Sequence, residues 1–254
     1  MKKETVVQIR DLTIGYNQRT VLKDLNFSVK AGEIFVIMGG SGCGKSSLLK
    51  NIIGLYKPFD GDILLHGQSI VKANLKEKNK LMRSFGVTYQ DGALFGTLTI
   101  GENILLLLDE YTTLSYKEKE KIVMEKLSQV GLAEFSNYMP HEISGGMKKR
   151  AGLARAMALN PKLLFFDEPS AGLDPISSAE LDRLILKMGK KTGATIVIVT
   201  HELDSIFAIA DNVIVLDKEK KGIVAMGNPY DLQKHCKNKW VKRFLDRDGL
   251  TRKI

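Results

Sequence analysis

The chain has 254 residues and a formal net charge of +9, from 38 Lys and Arg against 29 Asp and Glu. Apolar residues make up 44% and charged residues 26%. That excludes a mainly disordered, collagen-like or purely coiled-coil chain and leaves one large globular domain or two tightly joined ones. Two cysteines, Cys43 and Cys236, cannot staple a chain of this size, so reduced thiols are expected. The start has no apolar run suited to a signal peptide, and nothing approaches about 18 uninterrupted apolar residues. The positive balance admits phosphates, nucleic acid or acidic lipid as partners without choosing among them.

Residues 4–36 read as short β segments. Val6, Val7 and Ile9 are followed by Leu12 and Ile14, a turn from Gly15 to Arg19, and then Leu22, Leu25, Phe27 and Val29. Ile34–Met38 is an unbroken apolar run ending at Gly39, which suits a buried central strand. A helix is expected from Ser46 to Leu55, then strands at Gly61–Leu65 and Phe85–Tyr89. From Leu98 to Met157 the texture is helical, at Ile100–Leu108, Lys117–Val130 and Gly145–Leu159. Lys117–Lys121 reads as a solvated helix face. Strand patterns return at Leu163–Phe166, Thr195–Val199 and Val213–Leu216. Strands alternating with helices describe an α/β sheet with a helical insertion.

Gly39-Gly40-Ser41-Gly42-Cys43-Gly44-Lys45-Ser46 fits GxxxxGK[ST] between a buried strand and a helix. Its glycines let successive N–H groups point inward at phosphate oxygens, and the helix N-terminus adds partial positive charge. Lys45 can reach the β- and γ-phosphates, and Ser46 can ligate Mg²⁺. Ser47 beside them completes the nucleotide-binding set.

Leu163–Phe166 leads into Asp167, Glu168 and Pro169, a buried strand ending in two acids. Ligands of open α/β sheets sit beyond the carboxyl ends of strands. Asp167 is therefore the expected Mg²⁺ partner and Glu168 the candidate base for the attacking water. His201 follows Thr195–Val199 at another such end and could bond the γ-phosphate or hold Glu168. Gln90 closes the strand at Phe85–Tyr89, where its amide could meet Mg²⁺-bound water or mark the entrance to the insertion. Tyr16 could stack on a base or simply pack in the core. Ser144-Gly145-Gly146 opens a basic helical run and makes a second anion site. Two nucleotides sandwiched in a symmetric dimer would use both anion sites.

In this order the motifs resemble the ATP-binding cassette ATPase family over nearly all of residues 5–230. Tyr16 matches its aromatic loop, Gly39–Ser46 Walker A, Gln90 the Q-loop, and Ser144-Gly145-Gly146-Met147 the signature. Phe166-Asp167-Glu168 matches Walker B, Ala171–Asp174 the D-loop, and His201 the switch histidine. The resemblance implies a P-loop NTPase fold of the ABC ATPase type, with an N-terminal antiparallel β subdomain. Residues 1–90 and 158–230 would form the core, 91–157 the helical subdomain and 231–254 a basic extension. It implies ATP and Mg²⁺ as cofactors, and a homodimer attached to transmembrane permease subunits. Catalysis would fall to Glu168, His201, Lys45 and Gln90, and metal binding to Ser46, Gln90 and Asp167. Asp174 would couple the two sites of the dimer.

Ile143 and Met147 depart from the commoner LSGGQ signature, but Ser-Gly-Gly is kept. Gln90–Phe95, Ser144–Arg150, Gly172 and the Phe-Leu-Asp at 244–246 look like the Mla/Mce group of bacterial phospholipid transport ATPases. That likeness implies an Mce-domain protein and a small accessory subunit as further partners, no nucleic acid, and a peripheral place on the cytoplasmic face of the inner membrane, reached through partners only. An importer for a polar solute such as an amino acid, or a soluble factor acting on nucleic acid or ribosomes, shares the fold. In the extension, Trp240, Val241, Phe244 and Leu245 would share one helix face. That face would dock on the chain's own body or its dimer mate, on another subunit, or on acidic lipid. Cys43 would be a filler in the loop, open to damaging alkylation.

Overall fold

The computed structural model describes residues 3–90 and 92–246. They fall into two compact units, one of residues up to Met82 and from Thr195 onward, the other Arg83–Ala194. No helix among the described residues is long and apolar enough to cross a membrane.

The first unit opens with β1 (Thr5–Tyr16) and β2 (Arg19–Lys30), an antiparallel pair. The short segments expected here are two twelve-residue strands bent by bulges. Asp11 and Asp24 take positive φ, 45° and 53°. The Asp11 N–H donates to Asn26 Oδ1 at 3.0 Å, and the Asn26 amide donates to Asp11 Oδ1 at 2.9 Å. Side chains thus satisfy backbone and neighbour where the ladder is interrupted. The extra residue also restores the phase of the pleat: Ile9 and Leu12 are three apart, as are Leu22 and Leu25, and all four are buried. Next come β3 (Ile34–Gly39), buried at all six positions, and α1 (Lys45–Ile52). β4 (Asp60–Leu65) pairs with β1, and β5 (Gln68–Ser69) closes a sheet of order β2-β1-β4-β5. α2 (Leu75–Met82) ends this stretch.

The second unit begins with β6 (Phe85–Thr88). Its inserted helices are α3 (Ile100–Tyr111), α4 (Tyr116–Gln129) and α5 (Gly145–Ala156). Thr99 and Glu102 form a capping box that starts α3, and Ser115 and Glu118 one that starts α4. On α4, Val123 and Leu127 are buried while Lys117, Glu118, Glu120 and Lys121 are exposed, the solvated face expected. β7 (Leu163–Asp167) runs parallel to β6, with Thr88 opposite Phe166. α6 (Pro175–Thr192) follows, started by Asp174 and Pro175 and stopped by Gly193 at φ 64°.

The chain then returns to the first unit. β8 (Thr195–Val199) lies parallel to β3, and after α7 (Leu203–Ile209) β9 (Asn212–Asp217) lies parallel on its other side. β3 is thus central in its sheet, and it is apolar throughout because both of its faces are buried. β10 (Gly222–Gly227) pairs antiparallel with β9, and α8 (Pro229–His235) and α9 (Lys239–Leu245) complete the unit. The fold is the expected α/β one: a parallel sheet carrying the phosphate loop, an N-terminal antiparallel sheet and an inserted helical region.

Candidate active site

The phosphate loop joins the end of β3 to α1, and close packing explains its composition. A Cβ on Gly39 would lie 2.5 Å from the Leu216 carbonyl oxygen and 2.8 Å from Cys43 Sγ. A Cβ on Gly44, at φ 102°, would lie 2.8 Å from Val21 of β2. Both positions exclude a side chain, so strands β9 and β2 wall the loop tightly. Gly44 also stands at the N-cap of α1, and among the described residues no side chain caps that helix. The loop thus leads straight into the positive end of a helix that no described side chain caps, a setting that fits a phosphate. Lys45 is 8% exposed, and its Nζ donates to the carbonyls of Gly39 at 3.0 Å and Gly40 at 3.3 Å. Gly40 and Ser46 are half-buried; Ser41 and Gly42 are exposed.

Cys43 is buried beneath Gly39, and burial pushes its thiol up in spite of the neighbouring Lys45 ammonium. A protonated, enclosed thiol alkylates slowly, so the alkylation-prone loop expected above is not what the packing provides.

Tyr16 ends β1 opposite Arg19, and two residues beyond Arg19 lies Val21, the residue against Gly44. Its ring meets Tyr56 edge to face, centroids 5.4 Å apart, and it is 38% exposed rather than a core residue. His201 is exposed and follows Thr200, whose N–H donates to the Ile37 carbonyl of β3 at 3.2 Å. Tyr16, the phosphate loop and His201 therefore belong to one compact unit.

Gln90, Ser144, Asp167, Glu168 and Asp174 belong to the other. Asp167 closes β7 and is 7% exposed. Glu168 takes φ 49°, a left-handed backbone that a non-glycine residue adopts at a cost of ~1 kcal/mol or more. Its carbonyl accepts from the Ala171 N–H at 3.2 Å, which turns the chain sharply after the strand. Lys149 of α5 holds that turn, its Nζ donating to the Ala171 carbonyl at 2.6 Å and the Glu168 carbonyl at 3.4 Å. Reading Lys148–Arg150 as an undivided basic run misses this. The available signal was that Lys149 shares a helix stripe with Leu153 and Ala156, both buried.

Ser144 is the N-cap of α5, its Oγ accepting from the Met147 N–H at 3.2 Å, and Ser144 and Gly145 are exposed. Gln90 is exposed in the turn after β6, and the chain beyond it presses on α5. A Cβ on Gly92 would lie 2.8 Å from the Lys148 carbonyl, and one on Gly152 would lie 2.8 Å from the Gly92 carbonyl. Arg155 donates to the Ala93 carbonyl and lies over the Phe95 ring at 5.1 Å. Asn103, fully buried, donates to the carbonyls of Phe95, Leu98 and Thr99. Within this unit the segment after Gln90 and the helix behind Ser144 are thus packed as one piece. Asp174 caps α6, and hydrogen bonds from the Ser177 hydroxyl and the N–H groups of Ser177 and Ile176 hold its carboxyl below the usual range.

Residues 22–171 match the family described as ABC transporter. Over 97% of its length the chain is 39% identical to the probable ribonucleotide transport ATP-binding protein mkl of Mycobacterium leprae (strain TN), of which it covers 70%. It covers 66% of the related mkl proteins of other mycobacteria. Over 95% of its length it is 37% identical to the intermembrane phospholipid transport system ATP-binding protein MlaF of Escherichia coli (strain K12), of which it covers 88%. Among solved structures, the dimeric ATP-binding cassette MJ0796, in a post-hydrolysis state bound to ADP and Pi, superimposes with a TM-score of 0.79 at 30% identity. That match covers 87% of this chain and 98% of the other.

Proposed function

Because the chain belongs to the ABC transporter family of ATPases, we propose that it powers phospholipid transport between the membranes of a bacterial envelope, in a complex of the Mla/Mce type. ATP binding and hydrolysis with Mg²⁺ is the family's activity and this chain's. The observation that carries the phospholipid reading is the likeness to MlaF across 88% of that protein's length, against 70% for the mycobacterial relative. The Gln90–Phe95 and Ser144–Arg150 runs support it from the sequence.

In this reading two copies of the chain work as a homodimer bound to permease subunits, which hold it at the cytoplasmic face of the inner membrane. An Mce-domain protein and a small accessory subunit complete the complex. The inward N–H groups of Gly39–Ser47 grip the phosphates, and Tyr16 stacks on the base. Lys45 and His201 bear on the γ-phosphate, where charge grows during transfer. Ser46, Asp167 and Gln90 hold Mg²⁺, directly or through water. Held there, the ion would supply positive charge to the phosphate oxygens. Glu168 orients the attacking water and accepts its proton. Ser144, Gly145 and Gly146 of one copy close on the nucleotide held by the other, and Asp174 couples the two sites.

The mycobacterial relative supports a second reading, transport of a polar anionic solute such as a ribonucleotide. Purifying the intact membrane complex and identifying its subunits and lipids by mass spectrometry separates the two. A multi-spanning permease with an Mce-domain subunit and enriched phospholipid is the expected result. A soluble solute-binding subunit without lipid enrichment rejects the phospholipid reading.

A further inference from the structure

The C-terminal helix is the motif that ATP chemistry leaves unused. In the structure α9 packs within the first unit, with Val241 fully buried and Leu245 2% exposed. Asn238 caps it, accepting from the N–H groups of Trp240 at 3.0 Å and Val241 at 3.3 Å. The Gln233 amide of α8 donates to the Leu245 carbonyl at 3.5 Å. The expected single apolar face therefore divides. Val241 and Leu245 anchor the helix, while Trp240 stacks on Phe244, centroids 5.4 Å apart and planes at 27°. Anchoring this helix on its own unit favours the cis form of the docking expected for the extension; residues 247–254 lie outside the described residues.

What the anchored helix carries is a ring at the phosphate loop. The indole stands beside Gly40: Trp240 Cζ2 lies 4.0 Å from where a Cβ on that glycine would sit. Gly40 is also the residue whose carbonyl, with that of Gly39, accepts from Lys45 Nζ. Gly40 thus has the indole near its Cα and the nucleotide-binding ammonium on its carbonyl. A glycine-rich loop has few side chains to stiffen it, so a ring held beside Gly40 limits how far that residue can swing toward α9. The indole is 39% exposed, so its removal leaves the buried anchors of α9 in place.

We propose that Trp240 is a positioning residue for the phosphate loop, standing beside Gly40 so that the C-terminal helix tunes the loop's affinity for Mg·ATP. The inference rests on the assignment of Gly39–Ser47 to the phosphates. It makes the docked C-terminal segment a handle on nucleotide binding: a partner that lifts α9 loosens the loop.

The chain has one tryptophan, so intrinsic emission reports this contact without a label. In the purified full chain, saturating Mg·ATP should change Trp240 emission with the same midpoint as binding measured independently by equilibrium dialysis. Trp240→Ala should weaken Mg·ATP binding about three- to tenfold, the loss of roughly one aromatic packing contact. Turnover at saturating ATP should stay within about twofold, since no group that meets the reacting atoms is touched. Trp240→Phe should restore most of the affinity. Emission unmoved by saturating Mg·ATP, or a Trp240→Ala chain that binds as tightly as the parent, overturns the proposal. A parent chain that binds no Mg·ATP in dialysis overturns the assignment of the loop, and this inference with it.

Discussion

The phosphate loop and the acidic turn after β7 are built from opposite materials. Between Gly39 and Gly44 the largest side chain is a cysteine, and what the loop offers a ligand is backbone N–H held in shape by neighbours. The turn offers side-chain oxygen: Asp167 at a buried strand end, and Glu168 on a left-handed backbone braced by Lys149 from another helix. A site made of backbone is damaged by an added carbon atom. A site made of carboxylates is damaged by the loss of a charge or of the brace that aims it. The two regions should therefore fail differently, one in stability and affinity together, the other in rate.

The largest effect expected is at Glu168. Glu168→Gln keeps the size of the side chain and removes its basicity, so phosphate release should fall about 10²- to 10⁴-fold. ATP affinity should hold, because the phosphate grip lies in the loop. A steady-state phosphate assay beside a binding isotherm gives both numbers, and normal turnover would end Glu168's candidacy as the base. Gly39→Ala is the matching test of the loop. Its methyl would press on the Leu216 carbonyl and Cys43 Sγ at a backbone angle that excludes side chains, costing ~3 kcal/mol of stability. Urea denaturation reads that loss, and ATP affinity should fall with it. A Gly39→Ala chain of parental stability would mean that the walls formed by β9 and Cys43 yield easily.

The same contrast explains what could be read from the sequence. The course of the phosphate loop is readable because it is local: five residues between a strand and a helix carry the curl, and Lys45, the first of the helix, the charge. The acidic pair was readable because a buried strand announces where it ends. What escaped were arrangements that depend on distant chain segments. Asp11, Asp24 and Asn26 look like turn residues, yet they sit within two long strands, where Asp11 and Asn26 bond to each other across the hairpin and Asp11 and Asp24 take positive φ. α6 is not among the helices expected from the sequence, although Leu181, Ile185 and Met188 mark its buried face and Asp174-Pro175 and Gly193 its ends. Trp240 stands 200 positions from Gly40 in the chain (240 − 40), and no periodicity connects them.

Lys149 is the sharpest remaining test, because it belongs to the signature helix by sequence and to the acidic turn by contact. Its ammonium bonds two backbone carbonyls, including that of Glu168. Lys149→Met keeps the aliphatic stem and removes both bonds. A hydrogen bond from a charged donor stabilises by ~1.5–3 kcal/mol. If much of that loss falls on the aim of Glu168, kcat should drop about tenfold. KM for ATP should change far less, since the loop residues that grip the phosphates are untouched. Lys149→Arg should recover part of the rate, having donors to offer the same carbonyls. A Lys149→Met chain whose loss appears in KM instead would move this lysine from the acidic turn to the phosphate grip and erase the division between the two regions at its clearest point.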